Sequence, residues 1–362
     1  RALYRITGTS RDGGETLDWS VVLKVYGSPQ GSTADPGDPF YWKREALAYD
    51  SALLRDLPGG FIAPETWGVV EQPDGQLWLW LEEVRETGEA LWPPARYALA
   101  ASHLGHMGAS FLVERDLTNV PWLGRSHVRP ALAGMAGLVD LVRRAEVWEH
   151  PLLRNAFPAP LVSQALRLWD EREPLLAALE DLPRTLCHHD VWRRNLFART
   201  RAGREETVAI DWELVGSGAP GEDAGNLMGV SLLNLDIEAG QSEELAEAIL
   251  SGYLEGLQAG GWRGDPAAVR FAFATTAALR CLFSTVGWPA AIVLDQSGRH
   301  VVETEQRWGR PIEEVFAHWG RVAAFLLDQA DGARAWLAGS RHARSSSEPH
   351  SLGSSSSRSD VT

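Results

Sequence analysis

Lysine is almost missing from this chain. Of its 34 cationic residues only Lys24 and Lys43 are lysines, and the other 32 are arginines. Lysine is ordinarily among the commonest residues. A GC-rich genome that favours Ala, Gly and Arg produces this bias with no selection at either site. A lysine kept for its chemistry supplies what arginine cannot, a compact point charge on a flexible stem. Cysteine is scarce too. Cys187 and Cys281 alone cannot build a disulfide framework, which implies a reducing, cytoplasmic setting. Positive charge is in deficit, with a formal net charge of −14. That balance argues against nucleic-acid partners and anionic membrane surfaces, and favours neutral or cationic ligands. There is no uninterrupted run of 18 apolar residues, so no membrane span is predicted. No signal-peptide pattern is visible, and the chain enters a strand-like run directly from Arg1, as a chain truncated at its start would.

What is present is an ordinary globular composition, 44% hydrophobic and 23% charged over 362 residues. At about 150 residues per domain, that length suggests two domains. The first 84 residues read as strands around one helix. Ala2–Thr9 and Trp19–Tyr26 are β-rich runs separated by a polar turn over Arg11–Asp18. Gly27–Pro39 reads as loop, and Phe40–Leu57 as helix closed by Pro58-Gly59-Gly60. Thr66–Val70 and Gln76–Val84 read as two further strands around Pro73-Asp74-Gly75. Beyond Val84 the pattern turns helical over Pro94–Arg115, Pro130–Glu149, Pro160–Leu182, Ser242–Leu257, Pro266–Val286 and Pro311–Ala338. A short β segment interrupts it between Thr185 and Asp211. Residues 341–362 form a Ser/Arg tail expected to be disordered.

The interrupting segment carries the chemistry. It reads CHHDVWRRN and then AIDWE, which places Asp190, Asn195 and Asp211 near one another if two short strands flank a tight loop. Phosphoryl transfer needs such a set. One carboxylate accepts the attacking hydroxyl's proton, while an amide oxygen and a second carboxylate hold Mg²⁺, a hard cation that selects oxygen ligands.

These two stretches resemble the H-x-D-x-x-x-x-N and I-D-W-E signatures of the aminoglycoside phosphotransferase and choline kinase family. The resemblance implies an α+β, protein-kinase-like two-lobed fold, with a small antiparallel sheet and one helix in the N-lobe and a large helical C-lobe. It divides the chain into a nucleotide-binding lobe over residues 1–84, a catalytic and acceptor-binding lobe over 85–340, and the tail. It makes Asp190 the catalytic base, and Asn195 and Asp211 the metal ligands. ATP or another NTP with Mg²⁺ would be the cofactors, and a small-molecule hydroxyl (aminoglycoside, amino alcohol or sugar) the acceptor.

Lys24 gives an independent check. It sits in WSVVLKVY, apolar on both sides. A snorkelling lysine at a strand edge is the plain reading, and the phosphate-binding lysine of a kinase N-lobe is the functional one. Its partner would be Glu45, which shares a helical face with Trp42, Tyr49, Ala52 and Leu53; a carboxylate on an apolar stripe needs a partner. By the resemblance, the backbone of Glu82, Glu83 and Val84 falls where adenine binds. The phosphate-covering turn would precede Arg1, and Gly13-Gly14 would be a plain hairpin loop.

Other features have plainer readings. Cys187-His188-His189-Asp190 is metal-like in composition, but four consecutive residues cannot converge on one ion. His188 is expected to pack and hydrogen-bond beneath the loop, and His189 stands where the family often has glycine. Arg193 and Arg194 are candidates to reach the phosphate or the acceptor. Asp223 reads as a helix cap, or as support for the loop where the family also has an aspartate. Trp288 is a candidate to stack on an acceptor, whereas Asp236, Glu238 and Asp295 read as surface acids. Only about a dozen residues separate Asp211 from Asp223, and no A-P-E follows, which favours a small molecule over a protein acceptor. A non-catalytic nucleotide-binding protein and a metal-dependent hydrolase are the competing classes. The oligomeric state does not follow from the sequence.

Overall fold

The computed structural model describes residues 2–12, 14–28, 35–38, 40–87 and 91–347, the last seven as backbone only. Strands β1 (Ala2–Asp12) and β2 (Glu15–Tyr26) form one long antiparallel hairpin, in register from Ala2 opposite Val25 to Asp12 opposite Glu15. The turn expected over Arg11–Asp18 is therefore mostly strand. The hairpin closes at the two glycines, with Gly14 at φ +94° and Gly13 outside the described residues. The loop expected over 27–39 also lies partly outside them. After the two-residue β3 (Phe61–Ile62) come β4 (Thr66–Glu71) and β5 (Leu77–Glu82), and the first sheet runs β1-β2-β5-β4. In β5 the leucines Leu77, Leu79 and Leu81 are buried, while Trp78 and Trp80 between them are half-buried. That is the alternation of a sheet with one face on a core.

Helix α1 (Arg44–Asp50) packs near this sheet and is shorter than the stretch expected over 40–57. Ser51 adopts an extended backbone and its side chain accepts the N–H of Leu53, so the chain restarts as a single 3₁₀ turn over Ala52–Leu54. Ala52 consequently leaves the Glu45 face and is exposed.

The remainder is mainly helical: α2 (Pro94–Val113), α3 (Val128–Ala133), α4 (Ala136–Val142), α5 (Ala159–Asp170), α6 (Glu173–Glu180), α7 (Glu222–Leu233), α8 (Ser242–Ala259), α9 (Pro266–Leu294), α10 (Arg299–Trp308) and α11 (Ile312–Ser347). Two stretches expected as single helices are broken. Gly134 ends α3, and Pro174 opens α6 in its first turn, where a missing N–H costs nothing. Helix α10 went unforeseen because it fully buries no residue, and the half-buried stripe it turns to the core, Val301, Thr304, Glu305 and Trp308, is half polar. Helix α11 continues to Ser347, into the segment expected to be disordered, and residues 348–362 lie outside the described residues.

Helix α9 qualifies the expectation of no membrane span. By length and composition it is apolar enough to cross one, but most of it is buried, packed against α7 and α11 as a core helix. Helices α2 and α8 cross closely. A Cβ on Gly256 would lie 2.0 Å from the Ser102 carbonyl oxygen, so only glycine permits that contact.

Four short strands serve the site. β6 (Thr185–Cys187) pairs with β9 (Gly216–Gly218), and β7 (Leu196–Arg201) forms a hairpin with β8 (Arg204–Ala209). β3 joins β8 in parallel, tying the early chain to this hairpin.

Candidate active site

The β7–β8 hairpin sets the site. Leu196 pairs with Ala209, so Asn195 and Ile210 face each other at its open end, and the Ile210 N–H donates to the Asn195 carbonyl at 2.9 Å. Asp211 follows directly. His188 fastens the loop from below: it is buried, accepts the Asp190 N–H on Nδ1 at 3.2 Å and meets the Ile210 carbonyl through Nε2 at 2.9 Å. This is the packing and hydrogen-bonding role expected of it. Since Nδ1 accepts, the proton is assigned to Nε2.

Two residues of the site hold left-handed backbone without being glycine. Asp211 has φ +65° and His189 has φ +63°. Such conformations persist only where the surroundings over-determine them, and they cluster at functional sites. The His189 value supplies a physical reason for the family's frequent glycine at that position.

Lys24 lies on β2 opposite Leu79. Its Nζ donates to Glu45 Oε1 at 2.7 Å and to Asp211 Oδ1 at 3.1 Å. Burial works against the ammonium charge, but Glu45 and Asp211 outweigh it and hold the group above its ordinary range. Glu45 is fully buried. Its Oε1 also accepts the Trp212 N–H at 3.2 Å, and its Oε2 accepts the Tyr26 hydroxyl. Tyr26 lies two residues beyond Lys24, on the same face of the strand. Sequence reasoning missed it, although that spacing signals it. Lys43, by contrast, reaches Glu71 at 3.5 Å on the surface and lies over Trp42.

Asp190 is partly exposed, and both its oxygens are held. Asn195 Nδ2 donates to Oδ2 at 2.8 Å and to the Asp190 carbonyl at 3.0 Å. Arg280 of α9 approaches Oδ1 at 3.5 Å and donates to the His189 carbonyl through its other nitrogen. Arg280 was not foreseen, because nothing in an apolar helix marks which charge will meet a loop 90 residues earlier.

Asp223 does not cap α7, whose cap residue is Gly221 and has no side-chain cap. Instead its two oxygens accept the N–H groups of His188 and His189 at 2.7 and 2.8 Å, supporting the loop. Burial raises its carboxyl. Next to it Glu222 accepts the Ala219 N–H, and burial pushes its carboxyl up to about 7. His189 is buried and stacks on His127 with ring centroids 5.1 Å apart; burial holds it well below its ordinary range, and so neutral. Cys187, His189 and Asp223 bring donor atoms within 4.8 Å of one another, but the Asp223 oxygens are committed to the loop.

The remaining candidates separate. The Glu82 side chain pairs with Arg199 at 2.8 Å and its N–H donates to the Glu65 carbonyl. Glu83 and Val84 follow directly beyond the end of β5. The Glu83 side chain turns to Arg5 and Arg85. Arg193 is occupied at Glu86, 2.8 Å away, and stacks on Trp92, which corrects its reading as a phosphate-reaching residue. Arg194 is exposed and lies near the rings of Trp192 and Trp308. Trp288 lines a cavity of about 250 Å³ with Trp308, Trp319, His300 and Glu303. A larger cavity of about 720 Å³, lined by Arg115, Arg125 and Arg184, contains none of the candidate catalytic residues. Asp236 is half-buried and raised by burial to about 6, Glu238 pairs with Arg310, and Asp295 receives the His300 N–H at the start of α10.

Asn195 and Asp211 offer only oxygen to a cation once Nδ2 is spent on Asp190, the donor chemistry a hard divalent ion requires.

Amicoumacin kinase hAmiN, solved with AMP-PNP, Ca²⁺ and Ami, is 16% identical and superimposes with a TM-score of 0.50, over 85% of this chain and 88% of its own. Aminoglycoside 2'-phosphotransferase-IIIa, solved as a GDP complex, gives 14% identity and 0.47 over 86% and 92%. A choline/ethanolamine kinase family protein from Mesorhizobium loti gives 17% and 0.43 over 88% and 92%. No curated protein matches. The fold is that of the protein-kinase-like phosphotransferases, an antiparallel-sheet lobe on a mainly helical one. The model of the phosphotransferase enzyme family matches residues 39–271, and the chain belongs to that family.

Proposed function

We propose that this protein is an ATP-dependent kinase that phosphorylates a hydroxyl of a small molecule. The observation that carries the reading is a pair of polar clusters set on one hairpin. Lys24 bridges Glu45 and Asp211, while Asp190 and Asn195 are bonded at the mouth of the same hairpin. A non-catalytic relative has no need to keep all five.

In this reading Lys24 holds the α- and β-phosphates, oriented by Glu45, and the backbone of Glu82, Glu83 and Val84 receives the adenine. Asn195 and Asp211 would hold Mg²⁺, which when bound would neutralise charge on the phosphate oxygens. Asp190 orients the acceptor hydroxyl and takes its proton as the oxygen attacks the γ-phosphorus. The bond to the β-phosphate oxygen breaks and ADP leaves. Only residues 212–221 separate Asp211 from α7, too short a segment to present a protein substrate.

Arg280 at Asp190 and Arg194 near Trp308 disfavour an ammonium close to the reacting hydroxyl. The acceptor classes to compare are amines, aminoglycosides and sugars. The test is an ADP-release screen with Mg²⁺ and ATP over those three classes, with the phosphorylated product identified by mass. ADP release that no acceptor stimulates contradicts the reading.

A further inference from the structure

We infer that Arg280 is a positioning residue for the base, an inference that rests on the kinase reading above. Its guanidinium spans two points of the catalytic loop. One nitrogen donates to the His189 carbonyl and the other faces Asp190 Oδ1 at 3.5 Å. Asn195 holds the opposite oxygen at 2.8 Å. The Asp190 carboxylate is thus gripped from the loop on one side and from α9 on the other. An aspartate side chain, with two rotatable bonds, has several rotamers, and the two grips together select one.

The groups facing Arg280 fit this role. His127 and His189 lie close enough for its charge to help keep them neutral, and Glu222 and Asp223 are the buried acids nearby. Asp190 is the partly exposed carboxylate among them, and Arg280 is itself mostly buried, with 14% of its side chain exposed. The His189 carbonyl belongs to a residue in left-handed backbone, so the same guanidinium also secures the strained turn that aims Asp190. Lysine, a single point charge, cannot hold both acceptors in the plane of a fork.

The experiment compares Arg280→Met, which keeps the packing, with Arg280→Lys, which keeps the charge. For the acceptor found in the screen, Arg280→Met should lower kcat by about 10²-fold, the scale expected for a misplaced catalytic group. The KM for ATP and the melting temperature should stay close to wild type. Arg280→Lys should recover part of kcat. A kcat within threefold of wild type in Arg280→Met overturns the inference. So does a parallel loss of kcat, ATP affinity and thermal stability, which marks a merely structural residue. If wild-type protein turns over no acceptor, the kinase reading has failed on its own terms. Arg280 is then judged by a crystal structure of Arg280→Met, where an Asp190 carboxylate in its original rotamer overturns the inference.

Discussion

The two sides of the cleft are built differently. On the proposed nucleotide side, Lys24, Glu45 and Asp211 come from three distant segments and converge on one buried ammonium, joined by the Tyr26 hydroxyl and the Trp212 N–H. The geometry there is tight, with the Lys24 ammonium 2.7 Å from Glu45 and 3.1 Å from Asp211. On the proposed acceptor side, α9, α10 and α11 surround a cavity with aromatic walls, and its charged residues, Glu303 and Arg307, are solvent-exposed. The difference teaches where the chemistry is fixed and where recognition varies. Phosphate geometry is invariant and calls for a rigid polar cage. An acceptor is recognised by shape and stacking, which tolerate change.

The contrast can be broken most sharply at its centre. Asp190→Asn should lower kcat by on the order of 10³-fold, since a positioned base contributes about 10²- to 10⁴-fold. ATP affinity, measured by calorimetry, should hold. Lys24→Arg comes next. It keeps the charge but not the fit between Glu45 and Asp211, and should cost roughly 2 kcal/mol in kcat/KM for ATP, the scale of a charge-assisted hydrogen bond. An unchanged kcat/KM would mean the lysine is incidental.

Asp223→Ala tests the floor beneath the loop. It strands the N–H groups of His188 and His189 in a buried place and should cost on the order of 3 kcal/mol in denaturant unfolding. Glu222 adds a pH dependence. Its carboxyl is raised from 4.5 to about 7, chiefly by burial. The stability linked to it is fully present below 4.5 and is lost as the pH rises through about 7. Glu222→Gln, permanently neutral, should match wild type near pH 5 and be the more stable above pH 7. Thermal melts at both pH values decide it. The smallest effect is expected at the second lysine: Lys43→Met should change stability and kcat by no more than about 0.5 kcal/mol.

The nucleotide side was largely legible in the sequence because its geometry is local. Asp190, Asn195 and Asp211 sit on one loop and one hairpin, so short spacings nearly determine their meeting. Lys24 stood out because lysine is otherwise almost absent, and Glu45 because a carboxylate on an apolar helix face needs a cation. The acceptor side was not legible in the same way. Arg280 lies in a helix whose apolar pattern says only that it is buried. Helix α10 turns only two apolar residues, Val301 and Trp308, to the core. Arg193 looked equivalent to Arg194, and only Glu86 and Trp92, both about a hundred residues earlier, separate their roles. Asp223 read as a cap because its place at a helix start is visible in the sequence, whereas the two N–H groups it serves are not.

The most direct test of the central claim is a single-turnover experiment with γ-³²P-labelled ATP, Mg²⁺ and the best acceptor of the screen. Label should pass from ATP to the acceptor hydroxyl with wild-type protein and stay on ATP with Asp190→Asn, although that variant still binds nucleotide. Transfer at an undiminished rate in Asp190→Asn, or label passing only to water in wild type, would contradict the account.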